Sequence, residues 1–267
     1  MKISFVGTGN VAWHLSQALE EAGHWICEVY SRDIQHARAL TTELYDTNVQ
    51  PDLNFADSEA EVIIIAVSDD ALDEVIERIV FPENVIVVHT SGAKSLAEFQ
   101  KLIEIYSDVF VHTGIFYPLQ SFTKDVEMDY RELPICVESR NELIENKLIG
   151  LAQSISDHVT RMDSDERFTL HVAAVFANNF TNYLLTVAND LLLREKLDFD
   201  LLKPLIRNTI DKAFLTNDPA SGQTGPAKRG DLETTGRHME YLQEINPEWM
   251  DLYRTITDQI RSRHISK

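Results

Sequence analysis

A glycine-rich turn near the N-terminus contains residues suited to binding phosphate. The turn has the pattern G-x-G-x-x-A and consists of Gly7, Thr8, Gly9, Asn10, Val11 and Ala12. In such a turn the first glycine makes the bend, the second leaves room for a pyrophosphate, and the small third residue lets helix and strand pack closely. Free N–H groups at the start of the next helix then bind the phosphates. A strand is predicted before this turn and an amphipathic helix after it, which favours dinucleotide binding over an empty structural turn.

Two strand ends beside this turn would complete a cofactor site. The second predicted strand is followed by Ser31 and Arg32, with Asp33 one place later. A hydroxyl and a guanidinium at this position suit the 2′-phosphate of NADP, so NADP is favoured over NAD. The alternative is a solvated Arg32 and an Asp33 that caps the next helix. A strong apolar strand further along is predicted to place three more residues along the cofactor, namely Ala66, Val67 and Ser68.

Two later strand ends carry small and hydroxyl side chains where a substrate would lie. Residues 89–93 follow one predicted strand, and residues 112–122 follow a strand predicted over residues 108–112. The substrate-binding candidates from these segments are Ser91, Gly92, His112, Tyr117 and Pro118. The alternative for the histidines at the strand ends is that they are hydrogen-bonded core residues. No metal site is expected, because His89 and His112 lack a short His-x-His or cysteine pairing and have few carboxylates nearby.

A stripe of neutral polar side chains follows one face of a long helix predicted over residues 164–196. At about 100° per residue, Asn178 lies about 20° from His171 around the helix axis. Histidine exchanges protons near neutral pH, and asparagine can orient a carbonyl or hydroxyl group. Since a solvated helix face normally carries charge, the stripe favours a cleft wall over a solvated or dimer-buried polar face.

A turn-rich segment over residues 225–231 contains two adjacent cations, Lys228 and Arg229. These side chains could close over the site and hold an anionic group of the substrate. The segment could equally be an exposed connection between helices. The sequence favours neither interpretation.

The elements that must position these residues change in character at residue 163. Before it, strands alternate with helices, which predicts an N-terminal doubly wound Rossmann sheet with right-handed crossovers. The strands are predicted over residues 2–6, 25–30, 61–67, 84–89, 108–112, 133–138 and 158–162. Helices then follow over 164–196, 200–215, 232–244 and 247–264, the first capped by Ser164 or Asp165. The predicted fold class is α/β, with a Rossmann domain over 1–163 and an all-α domain over 164–267.

The bulk composition is that of a soluble globular protein, with 44% hydrophobic and 25% charged residues. Since 43 acidic residues outnumber 24 basic ones, the net charge is −19, which argues against nucleic acid and membrane surfaces as partners. A small molecule is the expected substrate. Cys27 and Cys136 lie in apolar runs and are expected to be reduced and buried. Neither a signal peptide nor a membrane span is predicted, so a cytoplasmic location is expected.

Together these motifs resemble the Rossmann-like proteins that carry a helical domain of unknown function (DUF2520). These are distant relatives of the 6-phosphogluconate, β-hydroxyacid and pyrroline-5-carboxylate dehydrogenase or reductase superfamily. The matching segments cover almost the whole chain and are residues 7–12, 89–93, 117–122, 171–180 and 225–231. The resemblance implies NADP binding, oxidoreductase activity and a helical substrate domain that pairs in a homodimer. It also adds Asn179, which matches the family pattern better than Asn178, so that the candidate catalytic residues are His171, Asn178 and Asn179.

Two functions of different classes follow. The first is an NADP-dependent reductase or dehydrogenase that moves a hydride to or from a small carbonyl, imine or alcohol in an interdomain cleft. His171 would then be the general acid or base. The second is a non-catalytic NADP-binding sensor or scaffold. It is motivated by Tyr117, which stands where the resemblance leads us to expect histidine, and by the missing lysine of the β-hydroxyacid dehydrogenases. Related folds also bind a deazaflavin, but no residue here selects that cofactor.

Overall fold

The N-terminal part of the chain is built on a single twisted sheet. The computed structural model describes residues 1–124, 126–216 and 218–265. The strands, in chain order, are β1 (Lys2–Val6), β2 (Trp25–Tyr30), β3 (Asn48–Gln50), β4 (Val62–Ile65), β5 (Ile86–His89), β6 (His112–Pro118), β7 (Ile135–Glu138) and β8 (Val159–Arg161). Their order in the sheet is β3-β2-β1-β4-β5-β6-β7-β8. Neighbouring strands are parallel except for β6 and β7, and the order reverses beside β1, as in doubly wound folds.

Helices cover both faces of this sheet. They are α1 (Asn10–Glu21), α2 (Ile34–Thr41), α3 (Asp69–Arg78), α4 (Leu96–Tyr106) and α5 (Glu142–Gln153). Apolar side chains of α1, α2 and α5 pack in one core cluster, and those of α3 and α4 pack in another. Because both faces are covered, the central strands are apolar throughout rather than alternating, as β4 with its Val-Ile-Ile-Ile sequence shows.

The long helical stretch predicted after residue 163 has three parts. Helix α6 (Ser164–Ala174) leads into a π-helical turn over Val175–Phe180, and α7 (Thr181–Arg194) follows. The prediction of Ser164 or Asp165 as the helix cap is wrong. Asp163 is the cap, because it accepts a hydrogen bond from the Glu166 N–H while the Glu166 side chain reaches back to the Asp163 N–H.

Further helices follow and confirm the predicted all-α C-terminal part. They are α8 (Lys203–Phe214), α9 (Pro226–Arg229), α10 (Leu232–Ile245) and α11 (Pro247–Ile265), with short 3₁₀ turns at Tyr130–Glu132, Phe199–Leu201 and Pro219–Gly222. The chain divides into two compact units, one of Met1–Asn179 and a second that begins at Phe180. The domain boundary predicted at residue 163 stays a prediction. None of the described helices is both long enough and apolar enough to cross a bilayer.

One strand prediction is wrong in a way that matters for the site. The sequence predicts a strand over residues 108–112, but β6 begins at His112 and runs to Pro118. Gly114 and Pro118 resemble loop signals in the sequence. In the structure Gly114 lies inside the strand at a close approach, because a Cβ there would lie 2.6 Å from Leu148 Cδ1 and 3.0 Å from the Glu138 carbonyl oxygen, so that both neighbours would have to shift. The sequence does not predict the short strand β3, and β7, which is predicted to extend the sheet, pairs antiparallel with β6.

Candidate functional site

The glycine turn leaves open space at the start of α1. Gly7 has a φ of +110°, and a Cβ there would lie 2.3 Å from the Ala66 carbonyl oxygen, so that only glycine fits. Gly9 is the N-cap of α1 and forms no side-chain cap, and a Cβ on Gly9 would meet nothing within 4 Å. The first N–H groups of α1 therefore face a space where a phosphate can approach. This geometry fits the pyrophosphate of a dinucleotide.

A cavity of about 210 Å³ extends from this turn along the ends of β2 and β4. It is lined by Gly7, Thr8, Gly9, Tyr30, Ser31, Arg32, Leu53, Ala66, Val67, Ser68, Ala71, Glu74, Val75 and Arg78. The Thr8 hydroxyl donates a hydrogen bond to Ser31 Oγ at 3.1 Å, which joins the turn to the end of β2. The cavity thus brings together most of the residues that the sequence predicted for the cofactor.

Three residues predicted for the cofactor do not line this cavity. Ala12 is fully buried and Val11 is partly buried, and both pack against the core. Asn10 Nδ2 donates a hydrogen bond of 2.7 Å to the Phe122 carbonyl oxygen and so ties down the segment after β6. Asp33 also lies outside the cavity and caps α2 by accepting a hydrogen bond from the Gln35 N–H, as the alternative interpretation of Asp33 predicts.

Sequence reasoning missed the contribution of α3 to the cavity wall. Ala71, Glu74, Val75 and Arg78 are spaced by three and four residues, so they lie on one face of this helix. The signal was present in the sequence, because the helix directly follows the predicted cofactor residues 66–68. Asp69 and Asp70 occupy the first turn of this helix.

Tyr117 and His171 form a hydrogen-bonded pair beyond the end of β5. Tyr117 Oη lies 3.0 Å from His171 Nδ1, and the two rings are inclined at 75°. Burial raises the pKa of Tyr117 to about 12, so that its phenol stays protonated at neutral pH. The backbone of Gly92 lies against this pair, since a Cβ on Gly92 would be 2.5 Å from His171 Nδ1 and 2.9 Å from Tyr117 Cζ.

A second cavity, of about 570 Å³, opens on this pair. It is lined by Tyr117, Leu119, Gln120, Ser121, Leu170, His171, Ala173, Ala174, Val175, Ala177, Asn178 and Asn179. The three candidate catalytic residues therefore lie on one cavity together with Tyr117. Hydroxyl, amide and imidazole groups supply its polar contacts, and the remaining wall is apolar.

Helix α6 is fixed to the sheet by a buried arginine one turn before His171. Arg167 is fully buried and forms an ion pair with Glu138 at the end of β7. Arg167 Nη2 also donates a hydrogen bond of 2.6 Å to the Lys94 carbonyl oxygen in the segment after β5. A buried charge is tolerated only when it is paired and hydrogen-bonded, so these contacts define where α6 lies on the sheet. Through α6 they set the position of His171.

The polar side chains at the end of β5 form hydrogen bonds within the protein and hold the turn that follows the strand. His89 is buried, and its Nδ1 accepts a hydrogen bond of 3.1 Å from the Ser91 N–H. Burial, with Arg167 and Lys94 nearby, lowers the pKa of His89 to about 3, so this histidine is a neutral core residue. The Ser91 hydroxyl accepts hydrogen bonds from the N–H groups of Ala93 and Lys94 and holds the turn. Pro118 is buried at the end of β6.

The structure places His112 away from Tyr117. Because β6 begins at His112, this residue pairs with Ile86 at the start of β5, whereas His89 at the end of β5 pairs with Ile115. His112 is therefore at the edge of the sheet opposite to the glycine turn, where its ring packs edge-on against Phe110. The prediction that His112 lies beside the substrate is wrong, because it depended on a strand ending at His112, where β6 begins.

The two cations of residues 225–231 lie in the second compact unit. Lys228 Nζ donates a hydrogen bond of 2.7 Å to the Gln223 carbonyl oxygen, and Arg229 is exposed at the end of α9. Their role in binding a substrate stays a prediction. Among the described residues, no three His, Cys, Asp or Glu side chains converge as a group that could hold a metal ion. Cys27 and Cys136 are buried free thiols.

Comparisons with known proteins agree with this architecture. Residues 2–92 match the model of the family described as NADP oxidoreductase coenzyme F420-dependent, and residues 133–260 match the domain of unknown function DUF2520. A candidate NADP oxidoreductase from Bacteroides fragilis is 34% identical, with a TM-score of 0.87 and 98% of each chain covered. No curated protein matches the chain.

Two more distant structures share the fold. A reductive aminase from Aspergillus terreus, in complex with NADPH and ethyl-5-oxohexanoate, is 13% identical with a TM-score of 0.71, covering 97% of this chain and 92% of the aminase. A 1-pyrroline-5-carboxylate reductase from Streptococcus pyogenes is 10% identical with a TM-score of 0.62, covering 100% of this chain and 99% of the reductase. With both family models matched and the Bacteroides protein similar over nearly its full length, the chain belongs to the family of Rossmann-like proteins with a DUF2520 domain.

Proposed function

We propose that the chain is an NADP-dependent oxidoreductase that acts on a small carbonyl, imine or alcohol. The observation that carries this proposal is the Tyr117–His171 pair, which opens on a cavity at the same edge of the sheet as the glycine turn. Bound NADPH would supply a hydride to the substrate carbon. The residues of the chain would supply the nucleotide site, the substrate cavity and the proton.

The strand order supports a nucleotide site and a substrate cavity that one reaction can use together. The glycine turn follows β1, the predicted cofactor residue Ala66 follows β4, and Tyr117 lies near the end of β6. Strands β4, β5 and β6 are neighbours and parallel, so the ends of β4 and β6 are two strand spacings apart, about 10 Å. A ligand that extends across the switch point beside β1 can therefore reach from the turn to the second cavity.

The proton would come from Tyr117. Burial raises the pKa of its phenol to about 12, so Tyr117 is protonated at neutral pH and passes its proton on only as it regains one from His171 across their hydrogen bond. In a reduction, the Tyr117 O–H bond breaks as the proton bonds to the substrate oxygen or nitrogen. A proton on Nδ1 of protonated His171 then moves to Tyr117 Oη, which leaves a neutral imidazole. In the oxidation each proton moves in the opposite direction.

The amides of Asn178 and Asn179 would orient the substrate in this arrangement. Both side chains line the cavity with His171. An amide can donate a hydrogen bond to a carbonyl oxygen and accept one from a hydroxyl, so it serves either direction of the reaction. Lys228 and Arg229 on α9 stay candidates for binding an anionic group of the substrate.

Turnover measurements on variants of the pair test the proposal. NADPH consumption is measured with ketones, aldehydes, keto acids and cyclic imines, and NADPH affinity is measured separately by calorimetry. We expect Tyr117→Phe and His171→Ala to lower kcat by about 10²- to 10⁴-fold, since each removes a step of proton transfer. NADPH affinity should change by no more than about twofold, because neither residue lines the first cavity.

Gly92→Ala tests the same pair without removing a polar group. Its added methyl group must displace the imidazole or the phenol ring, so we expect turnover to fall as well. Gly150→Ala in α5 is the matched control, since a Cβ there meets nothing within 4 Å. Full turnover in Tyr117→Phe and His171→Ala would refute the assignment. NADPH binding without consumption of any substrate would instead favour the non-catalytic sensor or scaffold.

We further propose that the protein is a homodimer paired through its helical part. The support is a set of large apolar side chains exposed on α6, α7 and α8, namely Phe168, Val172, Tyr183, Leu184, Leu193, Leu205, Ile210 and Phe214. Helices α7 and α8 contain no buried residue. Helices with exposed apolar residues of this size normally pack against a partner.

A further inference from the structure

A second arginine lines the nucleotide cavity. Arg78 is the last residue of α3 and shares the cavity with Ser31 and Arg32, which follow β2. The apolar side chains of Ala71 and Val75 precede it on the same face of the helix. The cavity therefore combines an apolar wall on α3 with two guanidinium groups from different elements.

The side chain of Arg78 is held by an acidic neighbour. Arg78 Nη1 donates a hydrogen bond of 3.0 Å to Glu74 Oε1, one helical turn earlier, and Glu74 also lines the cavity. Both side chains remain exposed, and an exposed pair of this spacing adds little to helix stability. The contact does, however, restrict where the guanidinium lies, which lowers the entropy that is lost when it binds an anion.

The charge of the chain makes a second cation useful at this position. The net charge is −19, so the surface as a whole repels a phosphate dianion. Guanidinium groups bind a phosphate monoester well because each can form a bidentate contact with it. Arg32 alone supplies only one guanidinium group. With Arg78, the lining of the cavity carries two guanidinium groups and one carboxylate, that of Glu74.

We propose that Arg78 and Arg32 together form the subsite for the 2′-phosphate of NADP, with Arg78 as a residue that determines the preference for NADP over NAD. This inference rests on the nucleotide-binding part of the proposed function. It is independent of whether the Tyr117–His171 pair transfers protons.

Two adenosine nucleotides isolate the subsite from the rest of the cofactor. Adenosine 2′,5′-bisphosphate and AMP differ only by the 2′-phosphate, and their affinities for the full chain are measured by calorimetry. We expect Arg78→Ala to weaken the bisphosphate roughly ten- to hundredfold, as for the loss of a charge-assisted hydrogen bond, and to change AMP affinity by less than about twofold. Arg78→Lys should lose less affinity than Arg78→Ala, because it keeps the charge without the bidentate fork.

Arg38→Ala is the matched control. Arg38 is an exposed arginine on α2 outside the cavity, so its removal changes the net charge equally. We expect it to leave both affinities within about twofold of the unaltered protein, because exposed charges at a distance are screened by salt. Thermal unfolding of each variant establishes that it is folded.

Two results would overturn the subsite. An equal loss of affinity for both nucleotides in Arg78→Ala would mean that Arg78 stacks on the adenine ring. Unchanged affinities would mean that Arg78 is a surface ion pair only. If the unaltered protein binds NADPH and either result is found, the subsite is wrong and the proposed function stands. If it binds no nicotinamide nucleotide at all, the proposed function fails and the subsite fails with it.

Discussion

Burial keeps two titratable side chains uncharged at the end of the sheet where the cavities open. It raises the pKa of Tyr117 to about 12 and lowers that of His89 to about 3. Tyr117 faces a cavity, so its retained proton is available for chemistry. His89 is enclosed, its ring packs edge-on against Phe99 at 4.8 Å, and its Nε2 has no hydrogen-bond partner in the part of the chain that the structure describes. Burial therefore leaves Tyr117 with a proton that it can use in chemistry, whereas it makes His89 lower the stability of the fold in acid.

The cost at His89 predicts a specific pH dependence of stability. The unfolded chain binds a proton at this residue below about pH 6.5, whereas the folded chain does so only near pH 3. Stability from this group is therefore present above pH 6.5 and is lost as the pH falls towards 3. We expect His89→Asn, whose Oδ1 can still accept the Ser91 N–H, to remove this loss.

Urea unfolding of both proteins at pH 7 and pH 5 measures the effect. The free energy of unfolding should fall by about 2 kcal/mol more in the unaltered protein than in His89→Asn over this interval. At pH 8 the histidine is neutral in both states, so any difference there reports packing alone. An identical fall from pH 7 to pH 5 in the two proteins would contradict the prediction.

At the scale of elements, the sequence predicts most of the sheet but not the position of β6. Apolar strands such as β4 and β5 are recognisable because burial on both faces leaves them without polar residues. Only the packed structure shows why β6 has a glycine at position 114: Leu148 and the Glu138 carbonyl oxygen lie close to where a Cβ would be. The misplaced boundary put His112 in the site and left the contact of Tyr117 with His171 unpredicted. Contacts between residues 54 positions apart depend on the packing of α6, which no local pattern specifies.

The π-helical turn changes which asparagine is aligned with His171. Two α-helical turns span about 7.2 residues, so a continuous α-helix would align Asn178 with His171. One α-helical turn followed by one π-helical turn of about 4.4 residues spans about 8 residues, which aligns Asn179. The π-helical turn over Val175–Phe180 lies within this interval. Such turns are frequent at functional sites, and this one favours the asparagine that the family pattern indicates.

Alanine substitutions at the two asparagines test this alignment. If Asn179 orients the reacting group beside His171, Asn179→Ala should lower kcat/KM by about tenfold or more, as expected for a hydrogen bond to substrate. Asn178→Ala, which removes the same amide one residue earlier, is the matched control and should cost less. If Asn178→Ala lowers kcat/KM more than Asn179→Ala does, then Asn178 is the asparagine aligned with His171, as in a regular α-helix.

At the scale of the whole molecule, charge and apolar exposure act in opposite directions on assembly. Each chain carries a net charge of −19, so two chains repel each other at long range. The exposed apolar side chains of α6, α7 and α8 favour association at short range, in proportion to the area they bury. Salt screens the repulsion without weakening the apolar contact, so the proposed dimer should be more stable at higher ionic strength.

Light scattering on Leu205→Glu tests the assembly directly. Leu205 in α8 is 61% exposed in the single chain, and a carboxylate there would have to lose its water if the helical part pairs. We expect the unaltered protein to have twice the mass of one chain and Leu205→Glu to shift towards the mass of one chain, most strongly at low salt. Leu143→Glu is the matched control, because Leu143 is 74% exposed on α5 of the first compact unit and the substitution adds the same charge. A dimer lost in both variants would point to charge alone, and a single-chain mass for the unaltered protein would refute the pairing.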